Sequence, residues 1–132
     1  MKKFLVVVLA VFGMALLVGC GSSSSGDVQV VDPQTFLTTS AQSGVVTVDV
    51  RTPAEYAAGH LDGATNIDAE APTFDAEIAK LDKNSTYTVY CHSGRRSGIA
   101  TETMSKAGFT HVYNLKGGYP DLVSAGAKVS TS

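Results

Sequence analysis

Thr86 to Ser97, TYTVY running into CHSGRRS, is the stretch from which the rest of the chain can be read. Thr86–Tyr90 is β-branched and aromatic throughout, as a buried strand requires. Cys91 stands at the C-terminal end of that strand, Gly94 lies in the short loop after it, and a helical pattern runs from Arg95 to about Ala107 before Gly108 ends it. A thiol placed between a strand end and a helix N-terminus sits in an anion-binding environment. Loop N–H groups and the positive helix end point at whatever lies above the sulfur. The same field favours the thiolate, which is the reactive form.

Outward from this loop, strands and helices alternate. Val28–Val31 reads as a short strand, and Asp32-Pro33 as N-cap and first residue of a helix to about Thr39. Val45–Val50 (VVTVDV) has the β-branched, mostly apolar character of a buried parallel strand. Thr52-Pro53 starts a short helix that Gly59 ends, and Ala64–Ile67 is a further strand. Phe74, Ile78 and Leu81 predict an amphipathic helix over Pro72–Leu81. His111–Leu115 is the last strand expected, with Gly117-Gly118 before a closing helix near Pro120–Ser124. This alternation predicts an α/β fold with a parallel sheet between helices, where ligands gather at the carboxyl ends of strands.

The N-terminus is a targeting segment and stands apart from the fold. Lys2 and Lys3 precede an apolar run, Phe4–Val18, that is broken only by Gly13. A membrane span needs about 20 apolar residues, and this run is shorter. It closes on Leu17-Val18-Gly19-Cys20, which resembles the lipobox of bacterial lipoproteins. That resemblance implies removal of residues 1–19 and a lipid on Cys20, with export to the cell envelope; the alternative is an uncleaved anchor. Gly21–Gly26 (GSSSSG) is too polar to pack, so residues 20–26 read as a lipidated cysteine on a flexible tether, and residues 27–132 as one domain.

Charge and cysteine usage narrow the function. The chain has 10 basic and 12 acidic side chains, and removal of Lys2 and Lys3 with the leader leaves a formal charge of −4. A mildly acidic domain without a basic cluster gives no support to nucleic-acid binding. Cys20 and Cys91 are the 2 cysteines. With Cys20 lipidated, Cys91 is a lone thiol in an exported protein, where cysteines usually pair. It is a candidate reactive group; an inert buried cysteine and a Cys20–Cys91 disulfide are the alternatives.

A second cluster comprises Asp49, Arg51, Glu55, Tyr56, Gly59, His60, Gly63 and Ala64. Asp49 and Arg51 fall at the end of a buried strand, on the same sheet edge as Cys91. Charges there are either paired with one another or functional. An ion-pair network of Asp49, Arg51 and Glu55 would fix the loop, and His60 in its turn reads as hydrogen-bonded architecture. No second histidine or cysteine stands at ligand spacing to His60, so a metal site is not expected.

DVRTPAEYAAGHLDGATNI, then VYCHSGRRS, then NLKGG, in this order and at this spacing, resemble the single-domain rhodaneses. The resemblance covers Val28 to about Gly126. It implies a five-stranded parallel sheet of order 1-5-4-2-3, Cys91 as a sulfur-accepting nucleophile carried as a persulfide, and the loop His92, Ser93, Gly94, Arg95, Arg96 and Ser97 as its cradle. It places Asp49 and Arg51 in structural support of that loop, and Glu55 and His60, read above as architecture, stand with them as structural support of the site. The implied partners are a small anionic donor such as thiosulfate and a thiol or cyanide acceptor, with a protein acceptor as a further candidate, and the implied chemistry is double displacement without metal or organic cofactor. Loop amides from Ser93 to Ser97, with Arg95 or more favourably Arg96, would hold the sulfonate end and the departing sulfite.

Loop length separates the catalytic alternatives. Phosphatases and arsenate reductases of the same fold use C-x5-R, whereas Cys91 to Arg96 is C-x4-R, the tighter form associated with sulfur transfer. The rival of a different class is a non-catalytic, membrane-tethered module that binds or senses sulfur or redox state. The chain departs from the family pattern in three places: His92 where arginine is common, Asp62 in place of proline, and the segment with Tyr119, Pro120 and Leu122 where a tryptophan often stands.

Overall fold

The computed structural model describes residues 26–131. The leader, Cys20 and all of the tether before Gly26 lie outside the described residues. Five strands form one parallel sheet: β1 (Val28–Val31), β2 (Val45–Asp49), β4 (Thr65–Asn66), β5 (Thr86–Tyr90) and β6 (His111–Leu115). Their spatial order is β1-β6-β5-β2-β4. Counted along the chain among themselves, these strands run 1-5-4-2-3, the order the sequence led us to expect. The order places β5 in the centre with β2 beside it, so Cys91 and the Asp49–Arg51 segment emerge side by side.

The alternation of side chains along β5 distributes the core. Tyr87, Val89 and Cys91 join Val48, Val112, Ala100, Met104, Phe109, Phe74 and Ile78 on one face. That face is covered by α3 (Phe74–Ile78) and α4 (Arg95–Lys106). Tyr90 points the other way, among Phe36, Leu61, Ala64, Leu115 and Leu122. There α1 (Pro33–Ser40) and α5 (Tyr119–Ser124) cover the sheet, with Tyr56 of α2 (Pro53–Ala58) packed against them. Each fully buried aromatic or aliphatic side chain contributes roughly 1.5–3 kcal/mol. Thr88, also on β5, is buried among hydroxyls, 2.9 Å from both Ser40 Oγ and Thr47 Oγ1.

Local signals start the helices where the sequence places them. Asp32 Oδ1 accepts from Thr35 N–H at 2.7 Å, and Thr52 Oγ1 from Glu55 N–H at 3.3 Å, each ahead of a proline in the first turn. Such caps stabilise by about 1 kcal/mol.

Three elements differ from expectation. The helix predicted over Pro72–Leu81 is α-helical only at Phe74–Ile78. Its ends tighten into three-residue turns, with Phe74 N–H on Ala71 O and Leu81 N–H on Ile78 O, and Thr73 provides no side-chain cap. The strand expected over Ala64–Ile67 is a two-residue ladder at Thr65–Asn66. A small antiparallel pair, β3 (His60–Leu61) with β7 (Val129–Ser130), was not foreseen. Two-residue strands that meet across the chain carry no periodic signal.

Candidate active site

The loop between β5 and α4 wraps the sulfur of Cys91. Gly94 sits at φ +98°, a conformation open to glycine and strained for other residues, and this turns its N–H onto Cys91 Sγ at 3.0 Å. Ser97, in the first turn of α4 and fully buried, places Oγ 3.5 Å from the same sulfur and donates to Gly94 O at 3.2 Å. Burial pushes the thiol up, but the Ser97 hydroxyl and the backbone N–H groups of Ser97, Gly94 and Ser93 outweigh it, so the Cys91 pKa lies below its ordinary value. The N-terminus of the 12-residue α4, without a side-chain cap, adds its field in the same direction. Cys91 is 0% exposed.

A second turn braces this loop from behind. Gly118, at the start of α5, lies so close to the His92 carbonyl that a Cβ there would stand 1.6 Å from the oxygen. Tyr119 N–H donates to Cys91 O at 2.8 Å. The Gly117-Gly118 pair serves two needs: φ of +105° at the first, and close backbone approach at the second.

The β2 end forms the neighbouring wall. Arg51 Nε and Nη2 grip both oxygens of Asp49 at 2.7–3.0 Å, and Nη2 also donates to Gly59 O at 2.6 Å. The pair is buried, with the guanidinium 4.2 Å from the Tyr119 ring centroid. Asn66 Nδ2 donates to the carbonyls of Asp49 and Arg51 at 3.0 and 2.9 Å; Asp49 O also accepts from Ile67 N–H at 3.0 Å, so the amide adds a second bond there and covers the Arg51 carbonyl beyond the strand end.

Glu55 does not join that pair. Its two oxygens accept from Arg96 Nη1 and Nη2 at 2.8 and 3.0 Å, joining α2 to the first turn of α4. The Arg96 contact holds the Glu55 carboxyl down at about 2. The ion-pair network expected of Asp49, Arg51 and Glu55 is therefore two separate pairs, because Asp49 takes Nε and Nη2 of Arg51 and the Cys91 loop brings Arg96 to α2. His60 is buried in β3, with Nδ1 2.8 Å from Tyr56 O and its ring stacked on Tyr56 at 3.6 Å.

A cavity of about 560 Å³ opens beside the loop, lined by Arg51, Glu55, Gly59, His92, Arg96 and Tyr119 among others. His92, Ser93 and Arg95 are exposed, and Arg95 does not line this cavity. The structure thus gathers the DVR block, the cysteine loop and the NLKGG turn at one sheet edge. Sequence reasoning missed Asn66 and Tyr90 as parts of this edge, and named Tyr119 only as a departure from the family pattern near it. Tyr90 OH accepts from Leu61 N–H at 2.9 Å, and only the tertiary fold brings these groups together.

Comparison with known proteins identifies the family and the fold. Residues 32–125 match the family model for the rhodanese-like domain. The chain is 44% identical over 75 residues to the thiosulfate sulfurtransferase PspE of Escherichia coli (strain K12), covering 57% of this chain and 71% of that protein. It is 36% identical over 89 residues to the thiosulfate sulfurtransferase GlpE of Pseudomonas entomophila (strain L48), covering 67% of this chain and 79% of that protein. Among solved structures, one described as rhodanese with anions from E. coli aligns at a TM-score of 0.56 with 38% identity, over 67% of this chain and 99% of that one. The Alr3790 protein from Anabaena aligns at a TM-score of 0.70 with 24% identity, over 77% of this chain and 82% of that one, a likeness of fold.

Proposed function

The chain belongs to the rhodanese-like domain family, and from that premise we propose that it is a sulfurtransferase acting through a persulfide on Cys91. The observation that carries the reading is the sulfur itself, held by the Gly94 N–H at 3.0 Å and the Ser97 hydroxyl at 3.5 Å at the start of a helix. The Gly94 N–H, and the Ser97 hydroxyl once it turns to the ionised sulfur, favour the thiolate without a neighbouring base. The thiolate attacks the outer sulfur of a thiosulfate-like donor. A new S–S bond forms, the donor's S–S bond breaks, and sulfite departs with the electron pair. A thiol or cyanide then attacks the outer sulfur of the persulfide, takes it, and leaves the Cys91 thiolate. Loop amides from Ser93 to Ser97 would stabilise the negative charge of donor and leaving group. Asp49, Arg51, Glu55 and His60 hold the surrounding turns.

The test uses the full chain in detergent, with Cys91 reduced. Sulfite release from thiosulfate with cyanide as acceptor is expected, together with one added sulfur atom by intact mass that is lost on reduction. Cys91→Ser is expected to abolish both. No added sulfur on the wild-type protein, or retention of the added mass in Cys91→Ser, would sink the assignment. The complete burial of Cys91 favours a second reading, a sulfur-carrying or sensing module. That reading predicts uptake of one sulfur without turnover.

For the whole chain we propose a lipoprotein: residues 1–19 removed, lipid on Cys20, residues 20–26 as tether, and residues 27–132 as the working domain at the cell envelope. The charged start, apolar run and Leu17-Val18-Gly19-Cys20 support it.

A further inference from the structure

The cavity beside the loop is lined by two arginines, and each is already occupied by a carboxylate. Arg51 is gripped by the buried Asp49 through Nε and Nη2 and lies over the Tyr119 ring, so its charge is matched inside the fold. Arg96 is different. Its pair with Glu55 is only partly covered, with side-chain exposures of 17% for Arg96 and 34% for Glu55, and both partners face the cavity. A planar guanidinium that binds a carboxylate with two parallel hydrogen bonds would bind a sulfonate or sulfate in the same way. Glu55 thus occupies the position such an anion would take, and Thr52 Oγ1, 3.2 Å from Glu55 Oε1, steadies it there.

We propose that Glu55 is a specificity-determining residue, a resident competitor that anions must enter against, so that oxyanion affinity is set by the loop amides and not by Arg96. The proposal rests on the sulfurtransferase reading for its substrate. Its physical content is that a freely available Arg96 would strengthen binding of every oxyanion alike, including sulfate and the sulfite product, without selectively lowering the barrier to sulfur transfer. Neutralising it keeps the cavity open to turnover in the presence of bystander anions.

Two measurements on the full chain test this. Inorganic sulfate is titrated as an inhibitor of thiosulfate turnover, and separately as a protectant of Cys91 against alkylation by neutral iodoacetamide. Glu55→Gln is expected to tighten sulfate in both assays, and to lower the thiosulfate KM, by about threefold to fivefold, with kcat changing less, as suits a partly exposed charge pair. Arg96→Gln is expected to weaken sulfate by leaving the Glu55 charge unopposed, and the double variant to return near the wild type. Glu55→Asp, which keeps the charge but is too short to grip both nitrogens, falls between wild type and Glu55→Gln and carries the test if Glu55→Gln does not fold. Unchanged or weaker sulfate binding in the folded Glu55 variants would overturn the proposal, as would a double variant as weak as Arg96→Gln. The alkylation assay needs no turnover. An inactive wild type therefore overturns the sulfurtransferase reading alone, and an active one with unchanged sulfate affinity overturns the Glu55 role alone.

Discussion

At the scale of the residue, the question is how a cysteine with no accessible surface becomes a nucleophile. Burial alone would raise its pKa and leave it inert. The opposing groups are a few short contacts, of which the Ser97 hydroxyl is the largest and the only side chain. The sign follows directly: once the sulfur is ionised the Ser97 hydroxyl can turn from Gly94 O to donate to it, so removing that hydroxyl raises the pKa. Ser97→Ala should move the midpoint of the pH profile for iodoacetamide alkylation upward from a wild-type midpoint that lies below the ordinary thiol value, while leaving the fold intact by circular dichroism. A midpoint that does not move would place the whole effect on the backbone N–H groups. The residue types at this site were legible in the sequence, Cys91, Gly94 and Ser97 included. The pairing of Glu55 was not, because Arg51 and Arg96 are equally plausible partners until the loop is placed in space.

At the scale of the element, the site depends on two turns pressed together. The β6–α5 turn reaches the cysteine loop through Gly118, whose φ of −144° any residue could adopt. What excludes a side chain is the His92 carbonyl behind it. Gly118→Ala must push the two turns apart, since the obstructing atom is backbone and cannot rotate away. We expect a loss of about 1–3 kcal/mol by chemical denaturation and at least a tenfold loss of sulfur transfer. Wild-type stability and activity in Gly118→Ala would show that the turns are not mechanically coupled. The elements themselves were largely readable: Asp32-Pro33 and Thr52-Pro53 carry N-caps in their own sequence, and β2 and β5 carry β-branched runs. The α3 segment was overextended because Phe74, Ile78 and Leu81 keep a helical spacing even where the chain tightens into turns.

At the scale of the whole molecule, the proposed arrangement is a targeting segment joined to a rhodanese-like domain. The proposal of lipid on Cys20 makes a direct prediction. Wild-type protein expressed in a bacterial host should partition into the detergent phase on phase separation, and Cys20→Ala should shift it toward the aqueous phase or leave it unprocessed with the mass of residues 1–19 retained. Partitioning and mass unaffected by Cys20→Ala would favour the uncleaved anchor.

The sequence by itself determined the layered α/β plan, the order of the motifs and the identity of the candidate nucleophile. Each of these rests on local chemistry: residue alternation, caps, glycine placement, and a cysteine a fixed few residues from a helix start. Only the tertiary structure decided which charges meet. Asp49 with Arg51, Glu55 with Arg96, Asn66 with two strand-end carbonyls and Gly118 with His92 are, apart from the first, contacts between segments distant along the chain. Sequence spacing carries no information about such distances. They are fixed when the parallel sheet brings the ends of β2 and β5 side by side and the turn after β6 folds over the cysteine loop.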